Sequence, residues 1–314
     1  MMIAVVIPCY KVRNHILDVL QAIGNEVSHI YIVDDACPEN SGEYVEKNTK
    51  DPRIKVIYHE KNKGVGGAVI TGYKEAISDG AEIVVKLDGD GQMNPDFIPK
   101  LVIPIETGEA DYSKGNRFFD VEKLLIMPRM RLIGNSFLSL INKMVNGYWN
   151  IIDPTNGFTA IHVNVLKLLP LNKIDNRYFF ESDMLFRLSV LRAVVKDIPI
   201  SPVYGNEKSN LIIGTVLWEF PMKYVNRFLK RFFYCYLLRD FNAGTMQFLG
   251  GLLAIIVGLV FGIYHWVTSY EAMSTTPAGT VMIAALLIIL GFQLLLSALN
   301  FDIQNIPHHP IQKQ

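Results

Sequence analysis

The sequence predicts an α/β domain with a mostly parallel sheet, followed by an interfacial amphipathic helix and two transmembrane helices. Over the first 210 residues or so, short apolar runs alternate with helical segments, which is typical of a parallel sheet. Two apolar stretches without Asp, Glu, Lys or Arg, at 245–267 and 278–301, are each long enough to cross a bilayer as a helix. An aromatic and basic stretch, 218–241, precedes them.

Length and composition narrow the classes of protein. The 314 residues suit one large domain or two moderate ones. The 30 basic and 30 acidic residues balance, so net charge indicates no nucleic-acid partner. Cys9, Cys37 and Cys235 are scattered without metal-ligand spacing, which predicts reduced thiols. The apolar start lacks a basic flank and a cleavage site, so we expect a first strand there rather than a signal peptide.

The order of the predicted elements places acidic residues at one edge of the sheet. Strands are predicted at 3–7, 30–33, 54–58, 84–87, 111–118 and 159–162. Helices are predicted after an Asn14 cap and at 41–48, 67–78, 97–106 and 130–145. Ligands of such sheets collect at the carboxyl ends of the strands. Residues 34–35 and 88–90 both fall at such ends.

The stretch 84–96, VVKLDGDGQMNPD, carries the strongest chemical signal. Asp88, Asp90 and Gln92 alternate as the chain leaves a buried strand, so their side chains can point the same way. Two carboxylates and an amide oxygen suit Mg²⁺ or Mn²⁺ and leave positions for substrate phosphates. The alternative is an acidic, glycine-rich turn that only ends the strand. We expect the metal site because further signals lie on both sides.

Two further segments predict a nucleotide site. Asp34 and Asp35 follow the second strand and can accept hydrogen bonds from a nucleobase or ribose. The segment with Asn62, Gly64 and Gly66 opens a helix, whose N-terminus favours anions. Its glycines would allow a nucleotide to approach closely, although an ordinary loop-to-helix turn explains them equally well. The segment matches neither the dinucleotide fingerprint nor the P-loop.

Seven motifs together carry a family resemblance. In chain order they are VVIPCYK, VDDAC, NKGVGGA, LDGDGQMNP, GNRF, DPTNGFTAI and YFFESDML. With them the chain resembles the family-two glycosyltransferases of GT-A (nucleotide-diphospho-sugar transferase) fold. Within that family it is most similar to the polyprenyl-phosphate glycosyltransferases, which include dolichyl-phosphate mannosyltransferase. The resemblance implies metal-dependent, inverting transfer of a hexose from a UDP- or GDP-sugar to a membrane polyprenyl phosphate.

The predicted site residues fall into four groups. The predicted donor contacts are Asp34, Asp35, Asn62, Gly64, Gly66 and Asp88, to which the resemblance adds Pro8 and Tyr10. The metal ligands are Asp88, Asp90 and Gln92, and the resemblance implies an acceptor-phosphate group of Arg117, Arg131 and Ser136. The candidate catalytic residues are Asp90, Arg117, Glu181 and Asp183. The chain departs from the family at two places. It has Lys11-Val12 where the family usually has Asn-Glu. It has Glu181-Ser182-Asp183 where the mannosyltransferase branch has Gln-x-Glu, so Glu181 and Asp183 both stay candidates.

The predicted domains are a catalytic domain at 1–213, an interface segment at 214–243, two spans within 244–301 and a tail at 302–314. Phe220, Tyr224, Phe228 and Phe232 recur every four residues, so we expect an interfacial helix that lies on the membrane with its basic groups toward anionic headgroups. The loop 268–277 holds one charge, Glu271, which predicts a cytoplasmic catalytic domain and tail. The proline-flanked His308-His309 pair predicts a disordered end.

The sequence leaves two alternative functions open. One is transfer to a hydroxyl of a lipid-linked glycan or polysaccharide, which would need a base at Glu181 or Asp183. A phosphate acceptor needs little base, because its second pKa is about 6. The other is a non-catalytic, membrane-anchored subunit that binds nucleotide sugar, against which Asp88, Asp90 and Gln92 argue. The expected partners are a nucleotide sugar, a polyprenyl phosphate and the bilayer, and the membrane segments would also suit a homo-oligomer.

Overall fold

The computed structural model describes residues 1–119, 129–201 and 213–313, without the side chains of 129–131 and 213–218. The chain forms two compact units, Met1–Phe228 with Pro307–Gln314, and Leu229–Ile306. The strands are β1 Ile3–Cys9, β2 Val27–Asp34, β3 Ile54–Tyr58, β4 Ile83–Lys86, β5 Tyr112–Asn116, β6 Thr159–His162 and β7 Val195–Pro199. The helices are α1 Ile16–Ala22, α2 Ser41–Asn48, α3 Val65–Ser78, α4 Ile98–Glu106, α5 Arg129–Asn146, α6 Val163–Leu168, α7 Phe180–Leu191, α8 Ile213–Arg231, α9 Ala243–Glu271 and α10 Ala278–Gln304.

The seven strands form one sheet in the order β3-β2-β1-β4-β6-β5-β7. β1 pairs in parallel with β2 and β4, and β5 pairs in parallel with β7. Only β6 among these strands is antiparallel to its neighbours, β4 and β5. Helices cover both faces, with α3 and α7 over one apolar core and α1 and α4 over the other. The predicted α/β fold with a mostly parallel sheet is therefore confirmed.

The predicted elements match the structure closely, with a few differences at their ends. β1 extends to Cys9, and α3 begins at Val65 rather than near residue 67. The N-cap of α1 is His15, whose side chain makes no capping hydrogen bond. The predicted Asn14 cap is therefore wrong.

One aromatic face of helix α8 packs against the rest of the first unit. Tyr224 is buried and packs with Phe220 against Phe179 of α7. Met222 and Val225 are instead 73% and 54% exposed. A repeat of about four residues thus identified an apolar face of this helix but not what covers it, and the membrane-interface role of the segment stays a prediction.

The second unit is built around α9 and α10, which are long and apolar enough to cross a membrane. Buried small residues lie where the two helices meet. A Cβ at Gly251 would come 2.8 Å from the carbonyl oxygen of Gly291, and a Cβ at Gly291 would meet Gly251 in the same way. Only glycine permits this close approach of backbones, as in other apolar helix pairs. Asp302 pairs with Arg231 at the end of α10.

The tail returns to the first unit and is ordered there. Asp111, fully buried before β5, accepts hydrogen bonds from the backbone N–H groups of Ile311 (3.0 Å) and Gln312 (2.8 Å). The Gln312 side chain donates to the carbonyl oxygens of Ile105 and Ala110. The predicted disordered end is therefore wrong for residues 311–313.

Candidate active site

Two acidic segments meet at the carboxyl ends of three neighbouring strands. β1 lies between β2 and β4, with Cys9 opposite Asp34 and Val6 opposite Lys86. Asp34 and Asp35 therefore leave the sheet at the same edge as Asp88. The structure brings these predicted donor and metal residues to one edge, as the order of the strands requires.

A buried lysine joins two acidic residues of this edge. Lys86 is the last residue of β4 and only 1% exposed. Its Nζ atom lies 2.9 Å from Asp88 Oδ1 and 3.1 Å from Glu181 Oε1. Burial acts to lower the pKa of Lys86, but the two carboxylates outweigh burial and raise it above its ordinary value. Sequence reasoning missed Lys86, although a charge at the end of the apolar strand IVVK was a visible signal.

The predicted metal residues have a donor set that fits a hard divalent cation. Asp88 and Asp90 are partly exposed at the mouth of the edge. The backbone turns at Gly91, whose φ of +78° favours glycine, and Gln92 N–H donates to Asp90 Oδ1 at 3.0 Å. The described residues contain no group of three His, Cys, Asp or Glu that could hold a metal. A cation here would therefore rely on the two aspartates, the Gln92 amide and oxygens of the substrate or water.

Asp34 and Asp35 organise the loops around this edge. Asp34 is 4% exposed and accepts hydrogen bonds from the N–H groups of Cys37 and Gly42, both at 2.7 Å. Asp35 is 2% exposed and accepts from Gly64 N–H at 2.7 Å. It also accepts from Lys63 N–H at 2.8 Å. The acids fix the loops that would surround a nucleotide, so their carboxylates are not open acceptors.

Two side chains extend the surroundings of Asp35. His59 Nδ1 lies 2.7 Å from Asp35 Oδ1, and His59 Nε2 lies 2.8 Å from Thr71 Oγ1. The Asn62 side chain donates to the Asp35 carbonyl oxygen at 3.2 Å. His59 is isolated in the sequence. The one signal for its contact with Asp35 was its position directly after β3, which pairs with β2. Asn62 lies in the predicted region, where it braces the loop.

The glycine-rich segment packs against the chain itself. Gly64 has a φ of +87°, and a Cβ there would clash with the carbonyl oxygen of Asn176. A Cβ at Gly66 would clash with the carbonyl oxygen of Asp175. The backbone of residues 175–176 therefore occupies the space that the missing side chains of these glycines leave. The sequence left a nucleotide and an ordinary loop-to-helix turn as equal explanations of these glycines, and the contact with residues 175–176 accounts for them within the chain. Of the other predicted donor residues, Pro8 is partly exposed and Tyr10 is 42% exposed.

The predicted acceptor group is brought together only in part. The Arg117 guanidinium pairs in a two-pronged manner with buried Asp153, with Nε at 2.7 Å from Oδ2 and a terminal nitrogen at 3.0 Å from Oδ1. Two of the Arg117 side-chain nitrogens are thus engaged by a carboxylate, and contact of Arg117 with an acceptor phosphate stays a prediction. Ser136 is exposed on α5 and donates to the Leu132 carbonyl oxygen. The side chain of Arg131 lies outside the described residues.

A cavity of about 330 Å³ opens beside Ser136. Its walls are mixed, with Phe118, Leu140 and Ile152 as apolar members and Lys143 as a cation. Also lining it are Leu132, Asn135, Ser136 and Ser139. Such a cavity suits an amphiphile with an anionic group and an apolar chain. Sequence reasoning missed Lys143, because the packing of α5 decides which of its side chains line the cavity.

Glu181 and Asp183 have different surroundings although they start the same helix. Glu181 has a side chain 13% exposed, beside Lys86 and Asp88. Asp183 is fully buried, with Arg227 Nε at 2.6 Å, Arg187 at 3.2 Å and the Asp175 N–H at 2.8 Å from its oxygens. This placement favours Glu181 as the acid that faces the site. It gives Asp183 the task of joining α7 to α8.

An acidic strand edge on a mostly parallel seven-stranded sheet is the architecture expected of a GT-A fold. The chain belongs to glycosyl transferase family 2, whose family model, "Glycosyl transferase family 2", matches residues 4–169. This membership confirms the predicted family, fold and enzyme class. The alternative of a non-catalytic subunit loses its support.

Relatives of similar length to the catalytic unit are known. The chain is 31% identical to a UDP-N-acetylglucosamine–dolichyl-phosphate N-acetylglucosaminyltransferase of Methanococcus voltae, over 68% of this chain and 92% of that one. It is 28% identical to an undecaprenyl-phosphate mannosyltransferase of Micrococcus luteus, over 70% and 90%. A glucosyl-3-phosphoglycerate synthase of Mycobacterium tuberculosis, solved with Mn²⁺, uridine diphosphate and phosphoglyceric acid, shares the fold. Its TM-score is 0.53 at 17% identity, over 73% of this chain and 78% of that one.

Proposed function

We propose that this protein transfers a hexose or N-acetylhexosamine from a nucleotide sugar to a membrane polyprenyl phosphate, with a divalent cation and inversion of the anomeric centre. The observation that carries the proposal is the similarity to the Methanococcus and Micrococcus enzymes over about nine tenths of their length. Both are named for polyprenyl-phosphate acceptors. The two apolar helices support the proposal, because they would hold the chain where such a lipid resides.

The acidic edge supports a divalent cation at the donor. Asp88, Asp90 and Gln92 would hold Mg²⁺ or Mn²⁺ through oxygen atoms. The bound cation would supply Lewis-acid stabilisation of the departing nucleoside diphosphate. The residues of the chain position the donor, since Asp34 and Asp35 fix the loops that would enclose the nucleotide. Cation binding by this chain is part of the proposal.

The environment of the acids favours a phosphate acceptor over a hydroxyl. A hydroxyl must lose a proton to a base, whereas a lipid phosphate with a second pKa of about 6 is already largely ionised. Asp183 is buried between two arginines, and Glu181 faces Lys86. Each of the two carboxylates thus already has a cationic partner. The enzyme then has to place the acceptor anion in line behind the anomeric carbon and exclude water.

Features on α5 support an acceptor that comes from the membrane. Ile133, Phe137, Leu140 and Met144 are exposed and fall on one face of this helix. Four large apolar side chains in one stripe are costly to leave in water. The mixed cavity lies along the same helix. A polyprenyl phosphate could leave its isoprenoid chain in the lipid and extend its phosphate into this cavity.

The return of the tail supports a hairpin topology. The chain leaves the first unit after Phe228 and re-enters it at Pro307. Two crossings would bring it back to the side from which it left. The loop between the spans carries one charged residue and no lysine or arginine. The positive-inside tendency then gives a cytoplasmic catalytic unit, to which the donor has direct access.

The test is a transfer assay with the full chain in detergent. Labelled UDP- and GDP-sugars are offered with undecaprenyl or dolichyl phosphate, in Mn²⁺ or in EDTA. We expect an organic-extractable product that needs the cation and is lost in Asp90→Asn. Transfer to a glycan hydroxyl but to neither lipid phosphate would replace the proposed acceptor. Donor binding that ignores both EDTA and Asp90→Asn would overturn the metal assignment.

A further inference from the structure

We propose that helix α10 is the contact between two copies of this chain, through a stripe of polar side chains that would otherwise face lipid. Gln293, Ser297, Asn300 and Gln304 are all exposed and recur at steps of four, three and four residues. Every residue of this polar stripe belongs to the second unit. The proposal rests on the placement of α9 and α10 in a membrane, but not on the reaction proposed above.

Helix α10 already has a partner within the chain, and the polar stripe points away from it. The buried residues of α10 are Ala284, Gly291 and Ala298. A Cβ at Gly291 would come 2.8 Å from the carbonyl oxygen of Gly251 on α9. A helix turns by about 100° per residue, so Gln293 and Asn300 lie about 180–200° around α10 from Gly291. Helix α9 therefore does not cover the polar stripe.

The polar stripe begins near the middle of the helix. α10 runs from Ala278 to Gln304, so Gly291 is its midpoint. With the helix centred in a hydrocarbon core of about 30 Å, Gln293 lies about 3 Å and Ser297 about 9 Å from the midplane. At that depth lipid offers an amide or a hydroxyl no hydrogen-bond partner. Such side chains gain from a partner on another helix, so their exposure indicates a helix contact.

The polar stripe continues toward the other end of α10 as an apolar seam. Leu290, Leu286 and Ile283 follow at steps of three, four and three residues back from Gln293, and each is more than half exposed. Alternating steps of three and four give a repeat of 3.5 residues, with which paired helices interlock. A polar residue within such a seam fixes the register of the pair. The pattern of a helix pair thus extends over most of α10.

A second copy of the same chain is the partner that this seam fits. An amide group both donates and accepts hydrogen bonds, so Gln293 and Asn300 can each bond to the same residue of another copy. No charge on the seam calls for an opposite charge, because Asp302, the one charged residue of α10, pairs with Arg231 of its own chain. Copies inserted with the same topology would bring their α10 helices together in parallel. Each seam residue would then meet its counterpart around a two-fold axis.

The experiment measures self-association of the full chain in lipid vesicles, by energy transfer between donor-labelled and acceptor-labelled copies at increasing dilution in lipid. We expect the native chain to associate. Gln293→Leu should weaken association about tenfold, because the hydrogen bonds between the two amides are lost. Leucine suits the bilayer better than glutamine, so this variant should insert normally. Gln293→Asn, which keeps an amide, should retain most of the association.

Gln247→Leu is the matched control, because it makes the same change in the other span. Gln247 lies about 40° around α9 from buried Gly251, on the side that faces α10. Its Oε1 atom is buried within the chain. We therefore expect Gln247→Leu to leave self-association unchanged.

Cross-linking locates the contact independently of its strength. The background variant is Cys235→Ser, because Cys235 is the native thiol that is not buried. In it, Ser297→Cys on the seam should form a covalent dimer when oxidised with copper phenanthroline. Phe292→Cys is the control, since Phe292 is 57% exposed but lies about 140° around α10 from Ser297. It should form no dimer.

The outcomes distinguish this inference from the proposed function. A native chain that stays monomeric in vesicles would overturn the helix pair, even if it transfers sugar. Association that is unchanged in Gln293→Leu, or weakened equally in Gln247→Leu, would overturn the polar stripe as the contact. Equal cross-linking of Ser297→Cys and Phe292→Cys would do the same, and this comparison decides if Gln293→Leu inserts poorly. Release of the native chain from vesicles by alkaline carbonate would instead overturn the membrane placement itself.

Discussion

Glu181 and Asp183 show how burial separates two acids that look equivalent in the sequence. They are two residues apart at the start of α7, yet Glu181 lies beside Lys86 and Asp183 lies between two arginines. A helix turns by about 100° per residue, so positions two apart point to different surroundings. The sequence could therefore place both acids near the site without showing which one faces it.

The first prediction separates the roles of these two acids. Glu181→Gln should lower kcat by about ten- to a hundredfold, because the carboxylate beside the metal edge is lost, with a nearly unchanged melting temperature. Asp183→Asn should lower the free energy of unfolding by about 3 kcal/mol, because it leaves two arginines without their buried partner. Turnover per folded molecule and thermal unfolding in detergent measure the two effects. The reverse pattern would make Asp183 the functional acid.

The second prediction concerns Asp197 of β7. Burial raises the pKa of Asp197 to about 6, although Ile152 N–H donates to it at 2.7 Å. Because folding raises this pKa, the protonated form of Asp197 contributes to the stability of the folded chain. That contribution is fully present below the unfolded pKa of about 3.9 and is lost as pH rises through about 6. The two-unit difference corresponds to about 3 kcal/mol. The melting temperature of Asp197→Asn relative to the native chain should therefore increase between pH 4 and 6 and then level off.

The control for this prediction is Glu109→Gln. Glu109 is exposed and paired with Lys196 on the surface. Removing its charge should change the melting temperature only slightly. The pH dependence of that change should have the opposite sense, because the lysine lowers the pKa of Glu109. A pH-independent difference between Asp197→Asn and the native chain would mean that the Asp197 pKa is not raised by folding.

At the scale of elements, local patterns predicted what forms but not always what it packs against. The apolar runs of β1, β2 and β4 are visible because strands covered on both faces need side chains of one kind. β6 was predicted at Thr159–His162, its observed bounds. Its antiparallel insertion between β4 and β5 was not, because strand order depends on contacts far apart in the chain.

For the candidate site as well, the sequence predicted local features but not the partners of each side chain. The acidic residues at strand ends are local features, and the structure places Asp88 and Asp90 at the expected edge. Partners such as Lys86 for Glu181 and Asp153 for Arg117 join residues 95 and 36 positions apart. Side-chain burial decides whether such a group faces a ligand or another residue. That choice is made by packing, which one sequence alone does not show.

Helix α8 yields the third prediction. Tyr224 is 6% exposed, and its hydroxyl accepts a hydrogen bond from the Asn142 amide at 2.9 Å. Tyr224→Ala should lower the free energy of unfolding by about 3 kcal/mol, because it leaves a cavity against Phe179. Met222→Ala, on the exposed face of the same helix, should change it by less than about 0.5 kcal/mol. Denaturant unfolding in one detergent measures both, and equal losses would contradict the assigned packing face.

At the scale of the whole chain, the tail closes a large loop on the first unit. The chain runs through α9 and α10 before residues 311–313 dock beside Asp111. Asp111 also accepts the Val194 N–H at 2.8 Å, so this buried carboxylate connects the start of β7 with the tail. The sequence showed no sign of this, because the partners are about 200 positions apart. The catalytic unit is therefore attached to the second unit through two segments of chain.

The last prediction tests this attachment by deleting residues 311–314. The deletion removes two backbone N–H donors from a fully buried carboxylate, and hydrogen bonds to a charged group contribute about 1.5–3 kcal/mol each. We expect the first unit to lose about 3 kcal/mol and its melting temperature to fall by about 6–12 °C. Gln312→Ala should show a smaller loss, and exposed His309→Ala of the same tail should show none. In Asp111→Asn the deletion should cost less than in the native chain, because the carboxylate that needed the donors is gone. An equal cost in both backgrounds would mean that the tail stabilises the unit by some contact other than Asp111.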